Sequence, residues 1–479
     1  MAQTSAEYTW APPSYDVSSN PLLGGTVRLT PDPSFSNNFV RSAKWCPDGS
    51  MALAHCENRS FQMLNLPPEI LHLSLAQTGE CRSSLSSNPE LTTNTEQIAN
   101  RTWTTLPQAA PIVDYAWYPR ATVFDLASFC FVASVRESPV RLLDAASGRL
   151  RASYKIVDHR ERQIAPHSLA FNLTGQRLYC GFDSAIEVFD LQTPGEGTRI
   201  LTTPSRKSRD GLKGILSALS FCPSGSFFAA GSLSPPSING ANIALFNEDD
   251  ADNGKAVGWI GFSDAAVRAS VSQIAFHPYK PHILYASFRR HTSIYAWDLR
   301  GDTFTPVQVF DRSACASATG LATAARKSED TNQRLKFDVD IGGKWMSTGT
   351  PDGDVCMFDL DEGAPPADLP MDTTGEMPTT TNTVMNRPAL RFHAHEDAIG
   401  STSFHPLHPF LLSVSGSRHF DHLTPDSPSG TSSSGSSCEE DESAQKTRVV
   451  RKSRARKQPE TKDDSIRLWD FSGSVTDAG

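Results

Sequence analysis

Residues 331–359 read TNQRLKFDVDIGGKWMSTGTPDGDVCMFD. An apolar alternation closes on the aromatic Phe337, and a Gly-Gly turn follows. A second run rich in small residues then leads through a loop to a third run ending Phe358-Asp359. Alternation broken by glycine-bearing turns marks short antiparallel strands. Successive side chains of a strand point to opposite faces, and glycine takes the positive φ that tight turns demand. The same three-part pattern recurs seven times. First strands are expected to end at Trp45, Trp117, Phe171, Phe221, Phe276, Phe337 and Phe404. Third strands are expected to end at Leu64-Asn65, Leu143-Asp144, Phe189-Asp190, Phe246-Asn247, Trp297-Asp298, Phe358-Asp359 and Trp469-Asp470. The turns WCPDGS (45–50), FNLTGQ (171–176) and FCPSGS (221–226) repeat the join between first and second strands.

The first-strand aromatics lie 50 to 72 residues apart. Four polar, aromatic-poor stretches carry the irregularity: residues 1–24, 76–107, 361–388 and 420–464. Such composition cannot offset its ordering entropy, so a disordered leader and three long disordered inserts are expected. Setting them aside leaves about 50 residues per repeat, near the ~40–45 of a four-stranded WD40 blade. One small sheet has two apolar faces that only neighbouring sheets can bury, so the repeats must close on themselves. The expected fold is all-β: a seven-bladed WD40 β-propeller over 25–472, with a tail at 473–479. The residues after Asp470, FSGSVTDAG, make a poor fourth strand for the last blade. Thr26-Val27-Arg28-Leu29-Thr30 has strand character, and this N-terminal strand is expected to close the ring.

The chain has 479 residues and a formal net charge of −9, from 44 Lys and Arg against 53 Asp and Glu. That balance excludes coating of nucleic acid by bulk positive charge but leaves room for a local basic face. No run of 18 apolar residues is present, so no membrane span is expected. The start, MAQTSAEYTW, lacks a basic region followed by an apolar one, so nothing points to secretion. None of the nine cysteines forms a CxxC pair, and Cys130, Cys180 and Cys222 lie inside apolar runs. Buried thiols in a reducing compartment fit this better than disulfides or a structural zinc. No GxSxG, P-loop, HExxH or DxDxDG motif occurs. The expectation is a protein that is not an enzyme, with no catalytic residues, no metal, no cofactor and no small-molecule substrate.

Several stretches are more particular than a generic repeat. NFVRSAKWCPDGS (38–50) with NLPPE (65–69) resembles the first blade of the telomerase Cajal body protein family. VDYAWYP (113–119), VASVRESPVRLLDAASGRLRASY (132–154) and HSLAFNLTGQRLYCGF (167–182) resemble its second and third blades, and 331–359 its sixth. A low-complexity insert before the last strand also sits where that family carries one. The resemblance spans roughly 38–470. It implies an RNA-binding WD40 scaffold that recognises a loop of H/ACA-type small nuclear RNAs, telomerase RNA included. Such a protein directs the particle to a Cajal body or another nuclear site. It also implies ribonucleoprotein partners, and residence in the nucleoplasm or nuclear bodies with the cytoplasm as a second compartment. The runner-up is a protein-interaction scaffold of pre-mRNA splicing or another nuclear complex, since a related fungal branch is linked to splicing factors. Two departures stand out: the leader is short where many members carry a long acidic, Pro-rich one, and SPPSING (234–240) is an insert in blade four.

In this blade type the loop between strands two and three shares a rim with the loop leading into strand one, where function on repeat scaffolds concentrates. Those loops contain Glu57-Asn58-Arg59, Arg136-Glu137, Phe182-Asp183, Arg289-Arg290-His291 and Arg418-His419-Phe420. Lead-in loops add Arg160, Arg162, Arg206 to Arg209, Lys213, Arg334 and His395. Arginine grips phosphate bidentately and stacks on unpaired bases, and Phe182, Phe288 and Phe420 are candidate stacking platforms. The RNA-binding candidates are Arg136, Phe182, Lys213, Arg289, Arg290 and Arg334. For any one of the arginines, a solvated charge or an ordinary ion pair is the competing reading, as with Arg136 beside Glu137. His395 in AHED (394–397), His167 and Asp352 in TPDGD read as structural, in the turn-to-strand hydrogen-bond network of WD40 repeats. RVVRKSRARK (448–457) is a candidate nuclear localisation signal through Arg448, Arg451, Lys452, Arg454, Arg456 and Lys457. A solvated loop held near its own EEDE block (439–442) is the alternative there.

Overall fold

The computed structural model describes residues 11–64, 105–205, 207–208, 210–234, 240–248, 255–263, 270–314, 332–363, 383–420 and 459–473. Seven small sheets follow one another around a ring, and no helix occurs among the described residues. Blade two shows the plan: Ile112–Trp117, Cys130–Val135, Val140–Asp144 and Leu150–Tyr154 pair antiparallel from the axis outward. Blade three repeats it with Ser168–Phe171, Arg177–Phe182, Ala185–Asp190 and Thr198–Leu201. Blade one runs from Val40–Trp45 to Thr105–Pro107, blade four from Leu216–Phe221 to Gly258–Gly261, and blade five from Val271–Phe276 to Gln308–Asp311. Blade six begins at Phe337–Val339 and ends at Leu390–His393. All seven third strands end where the repeat pattern puts them, and six first strands end on their aromatic. In blade six Phe337 instead opens the strand.

The aromatic that ends a first strand faces the neighbouring blade. Trp117 Nε1 donates to the Lys44 carbonyl of blade one at 3.1 Å, and Trp45 Nε1 donates to the Ser403 carbonyl of blade seven at 3.1 Å. All seven positions bury aromatic area against a neighbour, and at Trp45 and Trp117 the indole N–H also satisfies an inner-strand carbonyl, which a phenylalanine cannot do. Between blades one and two, Tyr115 is fully buried and donates its hydroxyl towards the Leu53 carbonyl at 3.1 Å. Glycine in the turn WCPDGS has a second duty. Gly49 has φ 73°, and a Cβ there would stand 2.6 Å from His405 Cε1 of blade seven. His405 Nε2 donates to the Gly49 carbonyl at 3.0 Å, while its Nδ1 accepts from the amides of Leu407 and His408. Six cysteines, 46, 56, 130, 180, 222 and 356, are buried free thiols.

Closure comes from the N-terminal side, as expected, but four residues earlier than Thr26–Thr30. Leu22–Val27 is the outermost strand of blade seven, beside Ile466–Asp470, with Leu22 opposite Asp470 and Val27 opposite Ile466. The leader also departs from expectation from residue 11 onward. Tyr15 is 6 % exposed, packs edge-on against Phe404 and Phe471, and is followed by a 2.9 Å bond from Asp16 N to the Phe471 carbonyl. Composition missed this because one buried aromatic anchors a whole polar segment. The inserts are narrower than expected for a similar reason: their edges supply strands. Thr105–Pro107 completes blade one, and Val384–Asn386 adds a parallel fifth strand to blade five. Residues 1–10, 76–104, 364–382, 421–458 and 474–479 of the expected leader, inserts and tail lie outside the described residues.

Candidate functional site

At one mouth of the ring, inner strands and the segments leading into them bring cations together near Asp114. Asp114, on the first strand of blade two, accepts from Leu169 N at 2.9 Å. Its other oxygen lies 3.9 Å from Nζ of Lys336, carried on blade six across the ring. That pair spans the central opening. Burial pushes the Lys336 ammonium down to about 8, with Lys44 and Arg334 adding repulsion against the pull of Asp114. Lys44 Nζ donates to the Tyr115 carbonyl at 2.8 Å and lies 4.8 Å over the Tyr115 ring. Arg334 is lowered by burial; Asp114 opposes this, and Arg289 and Arg41 reinforce it. His167 is held below its ordinary value by burial first, then by Arg334 and Arg136. Arg136, Arg289, Arg334, Arg41, Lys44 and Lys336 thus share one field, with Asp114 in their midst. Nε of Arg289 is buried with no hydrogen-bond partner among the described residues.

The other three candidates sit differently. Arg290 is exposed at φ 61° and donates to Asn332 Oδ1 at 2.9 Å, tying the blade-five loop to the segment leading into blade six. Phe182 ends the second strand of blade three, and Lys213 lies in the segment leading into blade four. Phe182 is a correction: it is 4 % exposed, with the Arg199 guanidinium 5.2 Å from its ring, so it offers no open face for a base to stack on. Phe288 is buried likewise, whereas Phe420 is exposed. Beside Phe182 opens a depression of about 510 Å³ lined by Ile164, Ala165, His167, Asp183, Gly214 and Leu233, among others.

His395 is fully buried, with Nε2 2.7 Å from Ser413 Oγ and Nδ1 2.9 Å from Ser465 Oγ. Trp469 Nε1 donates to the same Ser413 hydroxyl at 2.8 Å. Burial pushes the His395 ring down to about 4, against the pull of Asp463, whose carboxylate is 3.5 Å away. Asp463 is therefore the turn acid of this network, which corrects the assignment to Asp352; Asp352 is exposed on its own turn. His167 faces the cationic mouth. The six basic residues of 448–457 lie outside the described residues, but both ends of their insert are described. His419 and Glu460 exchange two backbone hydrogen bonds of 2.8 and 2.9 Å, and Asp397 accepts from Ser417 Oγ, His419 Nε2 and Lys462 N. Beside them Glu57, its side chain 1 % exposed, pairs with both Arg41 and Arg418.

Arg41, Lys44 and Asp114 were missed because they are strand residues rather than loop residues, and Lys336 because it sits immediately before the first strand of blade six. A signal exists in the repeats. The residue just before the aromatic of the first-strand pattern is Ala116, Ala170, Ser220, Ala275 or Ser403 in five blades, but Lys44 and Lys336 in two. Among the described residues no group of three or more His, Cys, Asp or Glu side chains is arranged to hold a metal, and no helix is long and apolar enough to cross a membrane.

No family model matches the chain. Telomerase Cajal body protein 1 of Homo sapiens is 27 % identical over 429 residues, covering 88 % of this chain and 64 % of that protein. The Rattus norvegicus protein of the same name is 27 % identical over 389 residues, 81 % of this chain and 61 % of that one. The chain therefore spans about three-fifths of the length of these relatives. Guanine nucleotide-binding protein negative regulator 1 of Schizosaccharomyces pombe is 26 % identical over 381 residues, 76 % of this chain and 80 % of that protein. The crystal structure of Chaetomium thermophilum Raptor overlaps 96 % of this chain and 29 % of its own, with a TM-score of 0.52 and 12 % identity, a likeness of fold alone.

Proposed function

The chain belongs to the telomerase Cajal body protein family, and from that premise we propose that it is an RNA-binding scaffold of a nuclear ribonucleoprotein. Its client is a single-stranded loop of an H/ACA-type small nuclear RNA, telomerase RNA among the candidates, and it guides the particle to its nuclear body. The work is binding without chemistry. The observation that carries the reading is the mouth itself: six cations against the carboxylates of Asp114 and Glu57, in a molecule of net charge −9. Concentrating cations there, against the overall sign, suits a compact polyanion. Guanidinium groups can hold phosphates bidentately and stack on splayed bases. The basic run 448–457 is the proposed nuclear localisation signal.

The test is a salt titration of binding to an H/ACA-type hairpin RNA, comparing the natural protein with the Arg289→Ala/Arg334→Ala double variant. Affinity is expected to fall with salt at a log–log slope of about −0.7 per phosphate contacted, as for single strands. The double variant should bind ~10-fold or more weakly, with a slope shallower by about 1. Binding that ignores salt, or a variant equal to the natural protein, would transfer the reading to a protein-interaction scaffold.

A further inference from the structure

We propose that the depression between blades three and four is a pocket for one unpaired nucleobase bearing an exocyclic amino group, which Asp183 accepts. This deepens the RNA reading and rests on it. Nothing in the cationic mouth itself distinguishes one base from another, because phosphate contacts position a strand without reading it.

The pocket is built from short-range structure. Blade three turns from its second to its third strand through Asp183 and Ser184 alone, with Ser184 at φ 56°. That turn is tied to the segment leading into blade four. Ser184 N donates to the Gly214 carbonyl at 2.9 Å, Gly214 N donates to Ser184 Oγ at 3.0 Å, and Asp183 bridges to Ile215. Gly214, at φ 79°, admits no side chain, since a Cβ would lie 1.9 Å from Ser234 Oγ. The walls are therefore fixed rather than draped over the site. Ile164, Ala165, Ile215 and Leu233 make the lining largely apolar, and the volume of about 510 Å³ falls within the ~300–1,000 Å³ usual for small organic ligands.

Three polar side chains interrupt this apolar lining, Asp183, His167 and Ser234, and the first two suit a base edge. A carboxylate only accepts hydrogen bonds, so Asp183 favours the amino groups of adenine, cytosine or guanine over the carbonyls of uracil. His167, kept neutral by burial and nearby guanidiniums, offers one donor and one acceptor. The same histidine feels the charges of Arg334 and Arg136, which links the pocket to the cationic mouth, and Lys213 directly precedes Gly214 of the lining. A base seated here would keep its own phosphates over those cations. An apolar peptide side chain would use neither Asp183 nor the positive field.

The experiment measures anisotropy of fluorescent 12-nucleotide homopolymer RNAs of A, C and U with the full chain, at several salt concentrations. The natural protein should prefer the A and C strands to the U strand by about tenfold. Asp183→Asn, which supplies a donor as well as an acceptor, should shrink that preference below about threefold and leave the salt slope unchanged. Ala165→Trp, which fills the depression, should weaken A and C binding to the U level with the same slope. Salt-dependent binding that shows no base preference, or a preference untouched by both variants, overturns the pocket and leaves the RNA reading standing. No salt-dependent binding of any strand by the natural protein overturns both.

Discussion

Blade three and blade seven share a four-strand plan but are assembled over very different lengths of chain. Blade three is contiguous from Ser168 to Leu201, its central hairpin joined by two residues and its register running unbroken from Arg177↔Asp190 to Phe182↔Ala185. Blade seven joins Ile399–Phe404, Phe410–Ser415 and Ile466–Asp470 to Leu22–Val27 from the far side of the sequence. Apolar burial alone tolerates a slipped register wherever hydrophobic residues still meet. The local blade avoids slippage through its tight turn. The closing blade has no such turn at its last joint, and there hydrogen bonds gather, His395 with Ser413 and Ser465, Trp469 with Ser413, and Asp397 with Ser417 and His419, beside Tyr15 packed edge-on against Phe404 and Phe471. Buried polar networks of this kind fix one arrangement over its near neighbours.

That contrast can be broken most forcefully by removing residues 11–27. Without the outer strand and Tyr15, blade seven keeps an open edge and an exposed apolar cluster, and cooperative thermal unfolding should disappear from calorimetry. Trp469→Ala should come next, costing ~3–5 kcal/mol in denaturant unfolding, from lost burial together with the lost bond to Ser413. Acid should then separate the two blades. Burial pushes His395 down to about 4 and His405 down to about 3, below the ~6.5 of an unfolded histidine. The unfolded chain thus takes up protons that the ring refuses. The contribution of these two histidines should be full above pH 6.5 and fall as pH drops towards 4, at up to ~1.4 kcal/mol per unit for each. Hydrogen exchange at pH 5 should open blade seven while blade three stays protected. The smallest effect is expected from inserting six Gly-Ser residues between Asp183 and Ser184. Loop entropy grows slowly with length, so stability should fall by ~1 kcal/mol or less, because blade three already closes locally.

Much of the ring was legible in the sequence because each blade repeats one pattern, and an aromatic recurs at the end of the first run because that position buries a large apolar ring between blades. What composition could not show is where order resumes at the borders of polar stretches. Tyr15, Thr105–Pro107 and Val384–Asn386 each owe their placement to a partner hundreds or tens of residues away, not to their own neighbours. The site divided along the same line. Arg136, Arg289 and Arg334 could be found by asking which loops share a rim. Phe182 misled because it ends a strand as well as starting a loop, and the core claimed its ring. Lys336 and Asp114 meet only because blades six and two face each other across the axis, a relation that exists once the ring is closed.

The strand that closes the ring is made first and used last. Between Val27 and its partner Ile466 lie 438 residues of chain. At the ~5–20 residues per second of protein synthesis, Leu22–Val27 waits roughly 20–90 s for the strand it must pair with. Throughout that interval a half-built propeller presents raw sheet faces at one end and an unclaimed apolar strand at the other, which makes the rate of translation part of what determines how much of this protein reaches its closed form.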